Sequence, residues 1–298
     1  MSSFNVIIPI ASKDVGFVST VVQYVRRNIE GVGKIYAITN ASNISKLCHS
    51  VADSQFEILD ENRLVKGLTF PNVRKLLAKA GENRPSQTGW YFQQFLKFAF
   101  AQSEYASDYY LSWDADTLPV NTIKFFSNEG KPMFTRKIEY HAPYFETMNR
   151  LIGIGRQVDY SFIAEHMLFN SAVVRELISA ISKSAVHGDT WFEKIINACV
   201  FADDRANLYS EFETYGNYCA KYHPDMYVTR TLNTFRAAGL IRGRHINDNI
   251  IDRLAVDLHI ASFEMQDAPF PYNVGWNVYR VKRKLMSLVK SIGGVKRS

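Results

Sequence analysis

The chain of 298 residues holds only three cysteines, Cys48, Cys199 and Cys219. The number is odd and no two share the spacing of a metal knuckle. A disulfide framework and a structural zinc site are therefore not expected, and buried free thiols in a reducing compartment are. Long apolar runs are also missing. No stretch reaches the roughly 18 residues that would cross a bilayer. The first apolar segment, residues 4–10, is too short for a secretory signal, contains Pro9, and is followed by Lys13 and Asp14. There is no internal repeat, no low-complexity segment and no Pro/Gly/Ser-rich linker, so one domain with a short appended tail is the simplest organisation.

What is present is a globular composition, 47% hydrophobic and 21% charged. The net charge of +6 is unevenly spread. Residues 280–298 carry Arg280, Lys282, Arg283, Lys284, Lys290, Lys296 and Arg297 and no acid, which leaves the remainder with 28 basic against 29 acidic residues. The basic character belongs to the tail, and nucleic-acid binding by the folded body is not expected. Aromatics make up 13% of the chain, enough for a stacking pocket but equally for a large core.

Hydrophobic patterning alternates between strand and helix. Residues 4–10 (FNVIIPI), 34–39 (KIYAIT), 56–59 (FEIL) and 108–113 (DYYLSW) read as strands. The near-continuous apolar character of the first suits a strand buried on both faces. Residues 15–28, with Asp14 as cap, and 89–103 read as helices, as do 171–182, 189–200 and 210–220; residues 162–169 read as extended. The alternation predicts an α/β fold with an open, mostly parallel Rossmann-like sheet.

The most informative segment is YYLSWDADTLP, residues 109–119. A hydrophobic strand ends in Asp114 and Asp116, and ligands of open α/β sheets gather beyond the carboxyl ends of strands. Two carboxylates one residue apart suit a hard divalent cation, Mn²⁺ or Mg²⁺, that bridges phosphate oxygens. An Asx-rich turn is the plain alternative. A dehalogenase-type phosphatase is the enzymatic one, but that pattern wants Thr or Val where Leu118 stands, and it normally opens the first strand of its domain.

The set FNVIIPIASKD, ILDEN (58–62), GWYFQQFLKF (89–98), SWDAD (112–116), EHMLFN (165–170) and SEFETYGNY (210–218) resembles, in order and spacing, a GT-A glycosyltransferase of a bacterial surface-polysaccharide type. The resemblance implies a GT-A-like domain over residues 1–275 and a basic amphipathic tail over 276–298. It implies donor-binding roles at Pro9, Ser12, Asp14, Asp60, Gln94, Lys97, Trp113, Asp114 and His166, a core histidine being at least as good a reading of the last. It puts the metal on Asp114 and Asp116, with His259 as the candidate third ligand; a strand-edge histidine is the equal alternative there. The acceptor-activating base falls on Glu211 or Glu213. Ser210 with Glu213 also fits a helix capping box, which frees Glu211 for chemistry. Gln93, Gln94 and Lys97 share one helix face, where they need polar partners unless Lys97 snorkels. Tyr215 and Gly216 are expected to shape the pocket.

Val278, Val281, Leu285, Leu288, Val289 and Ile292 recur at helical spacing among the basic residues of the tail, as in a helix lying on an anionic membrane; a solvated helix packed on the domain and a docking helix for a partner protein are the alternatives. The combined expectation is a metal-dependent enzyme that moves a sugar from a nucleotide-sugar, most readily a UDP-sugar, to a glycan or lipid-linked glycan. The product would be an O-antigen or capsule, and the place the cytoplasmic face of the membrane. A metal-dependent phosphate-ester hydrolase and a non-catalytic, membrane-associated sugar-nucleotide-binding protein are the alternatives.

Overall fold

The computed structural model describes residues 3–202 and 207–293, with the side chains of residues 275, 283 and 286–293 outside that description. Arg283, Leu288, Val289, Lys290, Ile292, Lys296 and Arg297 of the tail pattern therefore lie outside the described residues or side chains.

The strands are β1 (Phe4–Pro9), β2 (Val32–Thr39), β3 (Phe56–Asp60), β4 (Tyr109–Trp113), β5 (Thr117–Pro119), β6 (Met133–Thr135), β7 (His166–Asn170), β8 (Val228–Arg230), β9 (Thr234–Phe235) and β10 (Ile260–Ser262). The helices are α1 (Val18–Asn28), α2 (Ala41–Cys48), α3 (Phe70–Lys79), α4 (Pro85–Ala99), α5 (Ala142–Ile152), α6 (Ser171–Lys183), α7 (Trp191–Ala198), α8 (Glu211–Tyr222), α9 (Gly239–Arg242), α10 (Asp248–Leu254) and α11 (Val274–Gly293).

Among the described residues the main sheet has the order β3-β2-β1-β4-β7. The first four strands are parallel and β7 runs antiparallel to β4, with Trp113 opposite His166. The α/β, mostly parallel architecture expected from the sequence is thus the one observed. Alternation along the strands explains it. Ile7, Tyr36, Ile38 and Tyr110 enter one core, beneath α3 to α8. Val6, Ile8, Ile35, Ala37, Leu111 and Trp113 enter a second core on the opposite face, beneath α1. A sheet covered on both faces needs apolar residues at consecutive strand positions, which is why β1 and β4 read as unbroken apolar runs.

Helix boundaries follow local chemistry. The helix expected over 89–103 starts four residues earlier, at Pro85 in the first turn, where its missing N–H costs nothing. The helix expected over 15–28 begins as a 3-10 turn, Val15–Phe17; Asp14 makes no side-chain cap there. A second, small sheet, β5-β10-β9, lies across the carboxyl end of β4, where β10 pairs antiparallel with β5. That pairing carries residues near 260 to the end of β4.

Candidate active site

β4 is buried along Tyr110–Trp113, and the chain turns as it leaves the sheet. Asp114 N–H donates to the Glu165 carbonyl (3.1 Å), and Thr117 N–H donates back to the Asp114 carbonyl (3.2 Å). Between the two aspartates Ala115 is buried. Asp114 and Asp116 line one cavity of about 1170 Å³, which runs over the carboxyl ends of β1, β2, β3 and β4. The turn is pinned from behind by Phe263 N–H to the Asp116 carbonyl (2.7 Å) and by Thr117 Oγ1 with Ser262 Oγ (2.8 Å).

α4 and α8 supply the second group. Lys97 is 4% exposed and does not snorkel. Its Nζ lies 2.7 Å from Glu211 Oε1, 3.4 Å from Asp114 Oδ1, and 4.2 Å from the centre of the Phe212 ring. Burial alone would depress the Lys97 ammonium; Asp114 and Glu211 outweigh it and hold it above the usual lysine range. Burial, with Glu211 and Glu165 nearby, raises Asp114 against the pull of Lys97. Gln94 Oε1 accepts from Glu211 N–H (3.1 Å), which occupies one open donor of the α8 N-terminus. Gln93, Gln94, Lys97 and Glu211 all line the cavity.

Glu213 has a different place. Ser210 Oγ accepts from Glu213 N–H (3.2 Å), half of a capping box. The Glu213 carboxylate does not return to Ser210. It turns inward to accept from Ser161 Oγ (2.5 Å), Phe162 N–H (3.3 Å) and Asn217 Nδ2 (3.0 Å). It is outside the cavity lining, a structural carboxylate. Tyr215 and Gly216 do not line the cavity either. Tyr215 Oη accepts from Asn170 N–H, and Gly216 lets α8 pack on Phe162.

Around Asp116 the charges are mixed. Its carboxyl is raised to about 6, first by burial and then by Asp14 and Asp114, against Lys13 and Arg244. Lys13 Nζ lies 3.9 Å from Asp116 and 3.6 Å from Asp14. Asp14 lines the cavity, but Arg244 Nη2 holds its carboxylate at 2.5 Å. Arg244 also donates to the Phe263 carbonyl (2.9 Å), so Asp14 ties the β1 loop to the segment after β10. Glu264, also lining the cavity, is raised by burial and by Asp116.

His259 is not brought to the aspartates. It sits opposite Val120, whose N–H donates to the His259 carbonyl, whereas Asp116 is opposite Phe263. Four residues of extended chain separate these points, about 13 Å. The imidazole Nδ1 instead accepts from Asn233 N–H (3.3 Å). Among the described residues no three His, Cys, Asp or Glu side chains form a metal cage. The donor set that faces the cavity, two carboxylates with room beside them, fits a hard cation that completes its shell with phosphate oxygens and water.

Trp113 and His166 are core residues. Trp113 donates from Nε1 to the Thr117 carbonyl (2.8 Å) and stacks on His166 at 5.3 Å between ring centres. His166 Nε2 bonds Thr135 Oγ1 (2.9 Å), and burial keeps the ring neutral, well below the ordinary histidine range. Neither side chain lines the cavity.

Over the ends of β1 to β3 the expected residues form a network. Pro9 and Ser12 line the cavity. Asn43 Nδ2 donates to Ser12 Oγ (3.1 Å) and Thr39 Oγ1 (3.0 Å), and Asn40 Nδ2 donates to Ser12 Oγ (3.4 Å). Asp60 does not reach the cavity. Its Oδ1 accepts from Asn62 N–H (3.0 Å), an Asx turn, and Arg63 flanks Oδ2 at 3.5 Å. Its neighbour Glu61 lines the cavity instead, and burial followed by repulsion from Asp60 pushes its carboxyl up to about 7. Sequence reasoning missed Glu61, though Asp-x-Asn is a turn signal that assigns Asp60 to the backbone.

The opposite wall carries Trp90 and Tyr144, stacked at 6.5 Å and 20°. Trp276 and Tyr279 from the first turns of α11 also line the cavity, so the boundary expected after residue 275 falls inside a helix that helps line the site.

A family model described as a family of unknown function, DUF6492, matches residues 18–251. No curated protein matches the sequence. Two solved structures align over most of the chain. One is of an active-site mutant of LgtC, 10% identical, covering 93% of this chain and 96% of that one with a TM-score of 0.46. The other is of the galactosyltransferase LgtC in complex with donor and acceptor sugar analogs, 12% identical, covering 87% of each chain with a TM-score of 0.41.

Proposed function

We propose that this chain, which belongs to the DUF6492 family of unknown function, is a glycosyltransferase that moves a sugar from a nucleotide-sugar to a glycan acceptor. The observation that carries the proposal is the convergence of Asp114 and Asp116, at the end of β4, with the buried Lys97–Glu211 pair on one cavity. At about 1170 Å³ that cavity exceeds the usual size of a small-molecule site, with room for a nucleotide-sugar and part of an acceptor.

The bond that breaks joins the anomeric carbon to a diphosphate oxygen, and negative charge grows on the departing diphosphate. Asp114 and Asp116 would hold Mn²⁺ or Mg²⁺ against that diphosphate, and the cation would supply charge stabilisation there. Lys13, on the wall beside Asp116, adds a second positive charge. The acceptor hydroxyl attacks the anomeric carbon and must lose a proton. In an inverting transfer Glu211 takes it, as the carboxylate of α8 that faces the cavity. In a retaining transfer Glu211 positions the sugar, and the anomeric configuration of the product distinguishes the two. Trp90 and Tyr144 offer an aromatic wall suited to the C–H face of a pyranose.

The reading extends to location. The apolar side chains Val274, Val278, Val281 and Leu285 of α11 are about half exposed, and Arg280 and Lys282 are exposed beside them. We propose that α11 lies on the anionic cytoplasmic face of a membrane and meets lipid-linked acceptors of surface-polysaccharide synthesis there.

A thermal-shift titration tests the core of the proposal, because a ligand of the native state alone must raise its stability. A nucleotide diphosphate with Mn²⁺ is expected to raise Tm more than either alone, and nucleotide-sugar with a glycan acceptor to release nucleotide faster than without. An Asp116→Ala protein that kept the metal-dependent shift would refute the site.

A further inference from the structure

Among the polar side chains around the ends of β1, β2 and β3, one stands apart. Ser12, Asn40, Asn43 and Asp60 are engaged with one another or with backbone, and Asn62 Oδ1 accepts from Phe70 N–H (2.9 Å). Glu61 lines the same part of the cavity, half-buried, and its carboxylate has no hydrogen-bond or ion-pair partner among the described residues. The charge that bears on it is that of Asp60, of the same sign. A half-buried carboxylate left this way has a standing desolvation cost that a ligand with N–H donors would offset.

Position says which part of a ligand this is. β3 and β4 are three inter-strand steps apart in the sheet, about 14 Å at the usual spacing. A nucleotide whose diphosphate sits at Asp114 and Asp116 therefore meets Glu61 with its most distant part. The ribose, attached directly to the diphosphate, stops short; the outer edge of the base arrives. Phe70, edge-on to Phe92 at 5.7 Å, lines the same lobe and gives the base a face to pack on.

We infer that Glu61 reads the nucleobase, selecting bases with a ring N–H, uracil or guanine, over cytosine and adenine. The inference rests on the nucleotide-sugar reading above and adds a specificity residue to it. An ionised carboxylate only accepts hydrogen bonds. Uracil N3–H and guanine N1–H donate to it, and guanine adds an amino N–H alongside. Cytosine N3 and adenine N1 instead present a lone pair that faces the carboxylate and repels it, leaving one exocyclic N–H as the sole attraction. Such a bond favours the ionised form, and so would draw the Glu61 carboxyl down from its value near 7. Sites built to bond a substrate N–H reject analogues lacking it strongly, because their own polar group is then stranded.

Isothermal titration with UDP, GDP, CDP and ADP, each with Mn²⁺ at pH 7.5, tests the inference. The better of UDP and GDP is expected to bind at least about tenfold tighter than CDP and ADP, and the comparison of those two identifies the base. In Glu61→Gln, whose amide both donates and accepts, the ratio is expected to fall below about threefold. Glu61→Ala, which removes the acceptors without adding a donor, should narrow it as well. Binding of CDP or ADP as tight as the better of UDP and GDP, or undiminished discrimination in both variants, would overturn the role of Glu61 while leaving the nucleotide reading intact. Failure of all four diphosphates to bind would overturn the nucleotide reading itself, and this inference with it.

Discussion

Lys97 Nζ bridges two carboxylates, 2.7 Å from Glu211 and 3.4 Å from Asp114, with its side chain almost wholly out of water. The three charges depend on one another. Lys97→Met keeps the volume but strands Glu211 and Asp114 as neighbouring anions, and loss of one partner of a buried ion pair costs about 3–5 kcal/mol. Urea denaturation should show that loss. Glu211→Gln is milder, since Gln still accepts from Lys97. Its stability should stay near that of the parent and its affinity for a nucleotide diphosphate within a few-fold, while transfer to the acceptor falls about 100-fold or more if Glu211 is the base. Full transfer activity in Glu211→Gln would remove it from the chemistry.

Asp116 gives a prediction with a sign. Its folded carboxyl is raised to about 6, so the folded state holds the proton more tightly than the unfolded chain does. Well below the unfolded value near 4 both states are protonated and the group is neutral in the balance. Between pH 4 and 6 the unfolded chain ionises first, and stability is lost as pH rises; above 6 the full cost stands, at most about 3 kcal/mol. Asp116→Asn should therefore melt higher than the parent at pH 8 and by a much smaller margin at pH 4, yet lose the Mn²⁺-dependent stabilisation by nucleotide. Gain in stability with loss of function is what a site of strained charges produces. Identical melting at pH 8 would contradict the burial argument.

Gly216 carries a packing prediction. A Cβ built there would lie 2.2–2.6 Å from ring atoms of Phe162. Phe162 is fully buried against Phe134, and its backbone N–H bonds Glu213. The ring cannot retreat without disturbing that contact, so Gly216→Ala should destabilise by about 1–3 kcal/mol, the usual cost of overpacking. Phe162→Leu combined with Gly216→Ala should recover part of the loss, as coupled neighbours do. Equal stability of parent and Gly216→Ala, by chemical denaturation, would show that α8 can shift.

These sites differ in how legible they are in the sequence. β1, β4 and α4 were legible because their signals are local: apolar runs of strand length, and polar Gln93, Gln94 and Lys97 on one face of an apolar helix. Asp114 and Asp116 stood out because the strand before them did. Glu264 beside Asp116, and His259 beyond reach of it, both follow from the pairing of β5 with β10, residues about 145 apart in sequence with no shared pattern. One Asx turn at Asp60 separates it from Glu61: it ties the Asp60 carboxylate to the Asn62 N–H, a feature that the segment ILDEN does not display as a family motif. Trp113 and His166 carry polar atoms that suit a ligand, but they stack on each other inside the second core. Composition cannot tell such a satisfied interior pair from a binding pair.

α11 carries the last prediction. Val274, Val278, Val281 and Leu285 lie at spacings of four, three and four residues, one stripe along the helix, and all are about half exposed. Trp276 and Tyr279, stacked at 5.6 Å, turn elsewhere and line the cavity. The helix thus has one face for the site and another still exposed, the second flanked by Arg280 and Lys282. If that second face rests on lipid, the protein should sediment with vesicles containing phosphatidylglycerol and not with neutral phosphatidylcholine vesicles, and salt should release it. Each basic residue at such a surface contributes about 1 kcal/mol, so Arg280→Gln with Lys282→Gln should weaken partitioning by roughly 30-fold. Val278→Asp with Val281→Asp should abolish it, while nucleotide binding at the cavity persists. Equal binding to both vesicle types, or none to either, would detach α11 from the membrane and leave its aromatic face as its contribution to the site.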